Sequence, residues 1–321
     1  MSESKSYTVE LPVIDVYEDL SESALSSLSE ACSEWGFFYI RNHGVSKEFY
    51  QKLISIADQL FCLPHETKNK VGFSCYIPRF IASPFYESFK FSGPDFSASA
   101  HHLTETLLGK HDAEFSNLLK EYGSKMTDIS RRIVKLLLKI LGDNFENKFY
   151  DSEFSNCDGY LRMNNYSPQD SNENVKIEEV EGLGKHTDIS CVTILFQDHV
   201  GGLQMRSKEG EWMDIKPCED ALVVNIGDFM HAWSNEKLRS AEHRVVLRQN
   251  SVKRFSMVFI WSFEDDKEIY APSEVVGEGN ARLYKPFLTK EYRIFRATPR
   301  GARENYEKVG ANVTDFAGIV G

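Results

Sequence analysis

Between Gly182 and Ser256 the chain offers two imidazoles and a carboxylate, His186, Asp188 and His243, followed by a guanidinium and a hydroxyl, Arg254 and Ser256. Side chains at i and i+2 of a β-strand share one face, so His186 and Asp188 can converge on one ion while Thr187 points away. His243 must then reach the same ion from another strand. Two imidazoles and one carboxylate on one side of an ion leave the opposite positions open, which suits non-haem Fe(II) with a cosubstrate and O2. Zinc also accepts such a set, but a catalytic zinc commonly keeps only one solvent position. Arg254 and Ser256 repeat the alternation. A rigid, permanently charged fork with a hydroxyl beside it suits a carboxylate, here the far carboxylate of 2-oxoglutarate, whose keto-acid end would chelate the metal.

Each piece alone is weak, because His-x-Asp and Arg-x-Ser pairs are common among ordinary hydrogen-bonded residues. Their order and phase within a run of short apolar segments carry the weight. The surrounding motifs are Thr193–Gln204, Trp212, Asn225-Ile-Gly-Asp228, Ala232-Trp-Ser-Asn235 and Ser240-Ala-Glu-His243-Arg244, with Leu11-Pro-Val-Ile-Asp15 and Trp35–Gly44 near the amino terminus. On these motifs the sequence resembles the plant soluble Fe(II)/2-oxoglutarate-dependent dioxygenases, gibberellin oxidase-like, over nearly the whole chain. The resemblance implies a mainly β fold with helical additions (α+β): a double-stranded β-helix, or jelly-roll, core flanked by helices. It implies Fe(II), 2-oxoglutarate as cosubstrate and O2, with ascorbate in support and no catalytic residue beyond the metal centre. Asn164 and Tyr166 match the family's Asn-x-Tyr, whose tyrosine hydroxyl reaches 2-oxoglutarate. Ser167 and Gln169 stand where the family mostly has Pro and Cys. The implied reaction couples decarboxylation of 2-oxoglutarate to succinate with hydroxylation or desaturation of a substrate.

A formal net charge of −11 opposes a polyanionic partner, so nucleic acid is not expected. No apolar run approaches the ~18 residues of a membrane-spanning helix, and Met1-Ser-Glu-Ser-Lys-Ser lacks the apolar core of a signal peptide. The six cysteines form no Cys-x-x-Cys pair and read as reduced thiols. A cytoplasmic monomer, reaching the nucleus by diffusion, that acts on a small molecule is the expectation.

The elements that must position the site follow from pattern. Leu11–Val16 and Phe37–Ile40 read as strands, with a turn at Asn42–Gly44. Helices are expected over Ser21–Ser33, Phe49–Leu63, Asp112–Leu141 and Leu283–Ala297, the last closing a wall of the pocket with Phe287, Leu288, Tyr292 and Phe295. His65–Lys70 reads as a charged, exposed tail. Residues 72–102, rich in aromatics and broken by prolines, read as a lid over an apolar ligand, with Arg79 and Lys90 as its strong cations. Strands dominate residues 158–263, with a hairpin at Gly201-Gly202 and turns at Asn225–Asp228. The expected organisation is an amino-terminal region 1–157 packed on a core 158–265, then a carboxy-terminal segment 266–321. His43 and His199 read as loop histidines, and Asp228 as a turn residue bonding its own backbone.

The aromatic lid implies a small, largely apolar substrate, and the likeness to gibberellin oxidases a carboxylated diterpenoid. Arg79 is the cation to meet that carboxylate; Phe91 and His231 are the further substrate candidates, His231 standing where the resembled family has Gln or Glu. Abscisic acid, auxin and flavonoids, or a non-catalytic binding role on the same fold, stay open.

Overall fold

The computed structural model describes residues 7–78, 83, 85–167, 179–248, 253–297 and 311–319. Its centre is a pair of facing sheets. One holds, in order, β1 (Tyr7–Thr8), β10 (Trp212–Asp214), β9 (Leu203–Arg206), β12 (His243–Leu247) and β7 (Val180–His186). The other runs β2 (Val13–Asp15), β3 (Phe37–Arg41), β11 (Leu222–Ile226), β8 (Val192–Gln197), β13 (Arg254–Ser262), β6 (Asp158–Tyr166), β5 (Tyr86–Ser92) and β4 (Tyr76–Ile77). This is a jelly-roll arrangement: from β6 to β13 the chain passes repeatedly from one sheet to the other, staying in the same sheet only from β9 to β10.

Alternation sorts the long strands. On β13, Phe255, Met257, Phe259 and Trp261 enter the core on the helical side, while Arg254, Ser256, Val258 and Ile260 face the other way. On β6, Leu161 and Met163 join the same core, and Tyr160, Arg162, Asn164 and Tyr166 line the cavity between the sheets. The helical side is covered mainly by α5 (Ala113–Leu141), which follows α1 (Glu22–Glu34), α2 (Lys47–Phe61), α3 (His65–Lys68) and α4 (Phe96–Leu108) and precedes the short α6 (Phe145–Phe149). Its Leu119, Met126, Ile133 and Leu137 are fully buried at helical spacing, and Asp112 caps it by accepting from the Phe115 amide. Each such side chain contributes roughly 1.5–3 kcal/mol of burial. Ser21 and Ser46 cap α1 and α2 in the same way.

Several expectations need correcting. The amino-terminal region, expected to pack on the core, also adds β2, β3, β4 and β5 to its larger sheet. Residues 72–102 are largely regular: β5 pairs along β6 and α4 begins at Phe96. Lys68, expected on an exposed tail, is buried and its Nζ lies 2.6 Å from Glu87 Oε2. The helix expected over Leu283–Ala297 is shorter than its hydrophobic pattern suggested. Pro286 lacks the amide a helix interior needs, so Phe287–Leu288 forms strand β15, paired with β14 (Glu268–Ile269), and the helix spans only Thr289–Ala297. Asn225 and Ile226 belong to β11 rather than to a turn. All six cysteines are free, with Cys32, Cys157 and Cys191 buried.

Candidate active site

β7 ends at His186 and β12 begins at His243, and the two residues are register partners across the antiparallel pair. Asp188 follows just beyond β7. The ligand atoms of His186, Asp188 and His243 all lie within 4.8 Å of one another. Asp188 Oδ1 is 3.6 Å from His186 Nε2 and 3.7 Å from His243 Nε2. Each Nδ1 faces a backbone carbonyl, Gly184 O at 2.8 Å and Ala241 O at 3.2 Å. A carbonyl only accepts, so each Nδ1 carries the proton and each Nε2 presents its lone pair to the common point. Burial, and then the nearby His243, push the His186 pKa down to about 3, which keeps the ring neutral and ready to ligate. Burial alone would raise the Asp188 pKa. His243, His186 and the hydrogen bonds from Asn225 and Thr193 outweigh it and hold the carboxyl below its ordinary value. Two neutral imidazoles and an ionised carboxylate fit a divalent cation with open positions.

The loop carrying Asp188 is braced from behind. Asp228 opens α7 (Asp228–Trp233), and its amide donates to Asp188 O at 2.8 Å. The buried Asp228 carboxylate, expected to bond its own backbone, instead accepts from Thr187 Oγ1, Ser240 Oγ, Tyr292 Oη and Arg296 Nη1. Tyr292 and Arg296 come from α9 (Thr289–Ala297), which follows α8 (Ser273–Val276). Arg296 Nη2 also donates to Thr187 O at 2.8 Å, so this helix grips the residue between His186 and Asp188. Sequence reading missed this arginine, since an Arg on an amphipathic helix carries no signal of its distant partner.

On the facing sheet, Arg254 pairs in register with Tyr166 and Ser256 with Asn164; Tyr166 and Asn164 line the cavity, whereas Arg254 and Ser256 are buried outside its lining. Arg254 is fully buried. Its Nε donates to Gly201 O, its Nη1 to Ser256 Oγ at 3.2 Å and its Nη2 to Gln197 Oε1 at 3.5 Å, and its Cζ lies 4.7 Å from the Tyr166 ring centre. No carboxylate pairs with it among the described residues. A buried guanidinium without a counter-ion is costly unless an anion arrives, which is the fit a dicarboxylate requires. Asn164 Nδ2 donates to Ser256 Oγ at 3.4 Å and Asn164 Oδ1 accepts from Tyr86 Oη at 2.9 Å, tying the row together.

Between the sheets lies a cavity of about 740 Å3, lined by His186, Asp188 and His243, by Asn164 and Tyr166, by Phe73, Ile77 and Tyr86, and by Arg293, Arg296 and Ala297 of α9. The expected wall of Tyr292 and Phe295 is instead core: both rings pack on Phe316. Phe91 is likewise corrected. Alternation on β5 turns it to the helical side, fully buried against Phe115. His231 stands outside the cavity lining, its Nδ1 donating to Leu238 O at 2.8 Å. Arg79 and Gln169 lie outside the described residues. His43 is buried and His199 exposed. Arg162, not singled out from sequence, lines the cavity; the i, i+2 row Tyr160, Arg162, Asn164, Tyr166 was the signal.

The profile described as 2OG-Fe(II) oxygenase superfamily matches residues 157–262, and that described as non-haem dioxygenase in morphine synthesis N-terminal matches 11–107. The chain is 49% identical to a gibberellin 20-oxidase-like protein of Arabidopsis thaliana, over 97% of this chain and 98% of that one. Among solved structures it is similar to the dioxygenase for auxin oxidation of rice, at TM-score 0.74 and 26% identity, covering 94% of this chain and 100% of that one. It is also similar to JOX2 in complex with 2OG, Fe and JA, at TM-score 0.74 and 28% identity, covering 92% and 87%.

Proposed function

The chain belongs to the 2OG-Fe(II) oxygenase superfamily and is related to the gibberellin oxidases, and from that premise we propose that it oxidises a small, largely apolar carboxylic acid, foremost a gibberellin-type diterpenoid. Bound Fe(II) and 2-oxoglutarate supply O2 activation coupled to decarboxylation of the keto acid. His186, Asp188 and His243 would hold the metal, with Asn225 and the two carbonyls fixing the orientation of the ligands. Arg254, Ser256 and Tyr166, with Asn164 behind them, would hold the distal carboxylate of 2-oxoglutarate. The apolar walls, Leu183, Leu195, Leu203, Val245, Val258 and Ile260, would exclude water and present one face of the substrate.

One observation carries this function: a His/Asp/His cluster lines the cavity, and on the facing sheet a buried guanidinium, lacking a counter-ion among the described residues, stands in register with the cavity-lining Tyr166. Support for a hormone-like acid comes from the relatives, whose printed names concern gibberellin, auxin and JA. The test is anaerobic addition of Fe(II) and 2-oxoglutarate, followed by air and a panel of gibberellins, indole-3-acetic acid, jasmonic acid and flavonoids. The expected result is charge-transfer absorption before air, then succinate together with one panel acid either oxygenated or desaturated. Oxidation of a flavonoid and no acid would overturn the substrate class. Absence of both absorption and succinate would overturn the assigned site.

A further inference from the structure

We propose that His101 and His111 form a second metal site, on the outer face of the helical layer, for a divalent cation that favours imidazole, Zn(II) or Cu(II). The site goes beyond the oxygenase function and stands independently of it.

The pair is built by the turn between α4 and α5. Phe96, Leu103 and Leu107 bury one face of α4, which leaves His101 and Glu105, one helical turn apart, on the solvent side. Gly109 ends the helix in the left-handed conformation, φ +68°, with its amide donating to Glu105 O at 3.0 Å. The Asp112 amide then donates to Thr104 Oγ1 on α4 at 3.4 Å, and its carboxylate caps α5 through the Phe115 amide at 2.9 Å. The chain is thereby folded back along the last turns of α4, and His111 is set against His101. Their ring centres are 4.3 Å apart and their Nδ1 atoms 2.5 Å apart.

Glu105 fixes the tautomer. Its Oε2 lies 3.3 Å from His101 Nε2. An ionised carboxylate only accepts, so the proton of a neutral His101 sits on Nε2 and the Nδ1 lone pair points at His111. Two such lone pairs face to face repel, so the space between the rings takes either one proton, carried on His111 Nδ1, or a cation held by both. Metal–nitrogen bonds of about 2.0–2.1 Å at a tetrahedral angle set the nitrogens about 3.3 Å apart, within reach of small rotations of two exposed rings. Water completes the coordination at the open surface. Imidazole ligands select Zn(II) and Cu(II) over Mg(II) or Ca(II), and a carboxylate behind a ligating imidazole orients the ring and raises its basicity. The bound ion would pin the start of α5, the main cover of the larger sheet, to the end of α4.

The experiment is calorimetric titration of the full chain with Zn(II), in a His186→Gln/His243→Gln background that removes both imidazoles of the candidate iron site. That background should bind one zinc ion that its His111→Gln derivative does not, and Glu105→Gln should weaken this binding about tenfold or more. Cu(II) at one equivalent should show splitting from two nitrogens in its electron paramagnetic resonance spectrum, one of which His111→Gln removes. All three positions are exposed, so circular dichroism should show each variant folded. In otherwise wild-type protein, His111→Gln should leave the Fe(II)·2-oxoglutarate absorption unchanged, which keeps the two sites apart. Zinc bound equally with and without His111, or a copper spectrum that His111→Gln leaves unaltered, overturns the proposal and marks any surface ion as adventitious. Zinc affinity untouched by Glu105→Gln overturns the tautomer on which the pair rests.

Discussion

At the residue scale, ligand readiness depends on groups that never touch a metal. Asp188 Oδ2 accepts from Asn225 Nδ2 at 2.8 Å, which leaves Oδ1 toward the two imidazoles. Replacing Asn225 by Ala should weaken Fe(II) binding by about 10- to 100-fold with the fold intact, measured by metal titration against circular dichroism. Arg254→Ala should raise the apparent 2-oxoglutarate requirement on the order of 100-fold, the usual cost of truncating a desolvated charged pair. Unchanged cosubstrate affinity would remove Arg254 from the role given to it. The pH dependence follows from His186. With its pKa down to about 3 when folded, the unfolded chain binds more protons from there up to the ordinary histidine range. Stability of the metal-free protein is therefore full above that range and falls as pH drops through it. Asp188, also lowered, adds a loss of the same sign at more acid pH. Melting temperature against pH for wild type and His186→Gln should show a shallower slope in the variant.

At the element scale, strands deliver the chemistry and helix α9 locks it. Arg296 and Tyr292 reach Asp228 from one face of that helix, and Asp228 in turn holds the loop between the first two ligands. Arg296→Met should destabilise the protein by about 3 kcal/mol, because the Asp228 carboxylate, 1% exposed, loses its counter-ion. Turnover should fall further than stability alone accounts for, since Thr187 loses its tether. The β9 entry is equally constrained. Gly202 has φ +86°, and a Cβ there would come 2.1 Å from Val246 O on β12. Gly202→Ala should thus disturb the pairing that carries His243, with a loss of roughly 2 kcal/mol or more by chemical denaturation.

At the scale of the whole molecule, the candidate metal ligands come from the β7–β12 sheet and its edge loop, and the residues proposed to hold the cosubstrate from β6 and β13 of the facing sheet. Anything that bridges them binds only the closed pair of sheets. Mn(II) together with 2-oxoglutarate, each at 100 times its dissociation constant, should raise unfolding free energy by about 2.7 kcal/mol per site or more, read as a higher melting temperature. No effect of either would mean that the cavity does not span the two groups. Among the described residues no helix is long and apolar enough to cross a membrane.

The amino-acid sequence by itself determined the strand alternation, the capped helices α1, α2 and α5, and the candidate site residues His186, Asp188, His243, Arg254 and Ser256. These are legible because periodicity and i, i+2 spacing are local properties of the chain. Only the tertiary structure decided which face of each strand meets the cavity and which meets α5. That choice moved Phe91 into the core and brought Arg162 into the lining. It also decided that Asp228 and Arg296, far apart in the chain, meet behind the metal loop, and that Pro286 turns a hydrophobic pattern into a strand before the helix starts. Counter-ions are assigned by proximity in space, so which arginine remains free for a ligand could not be read from spacing along the chain.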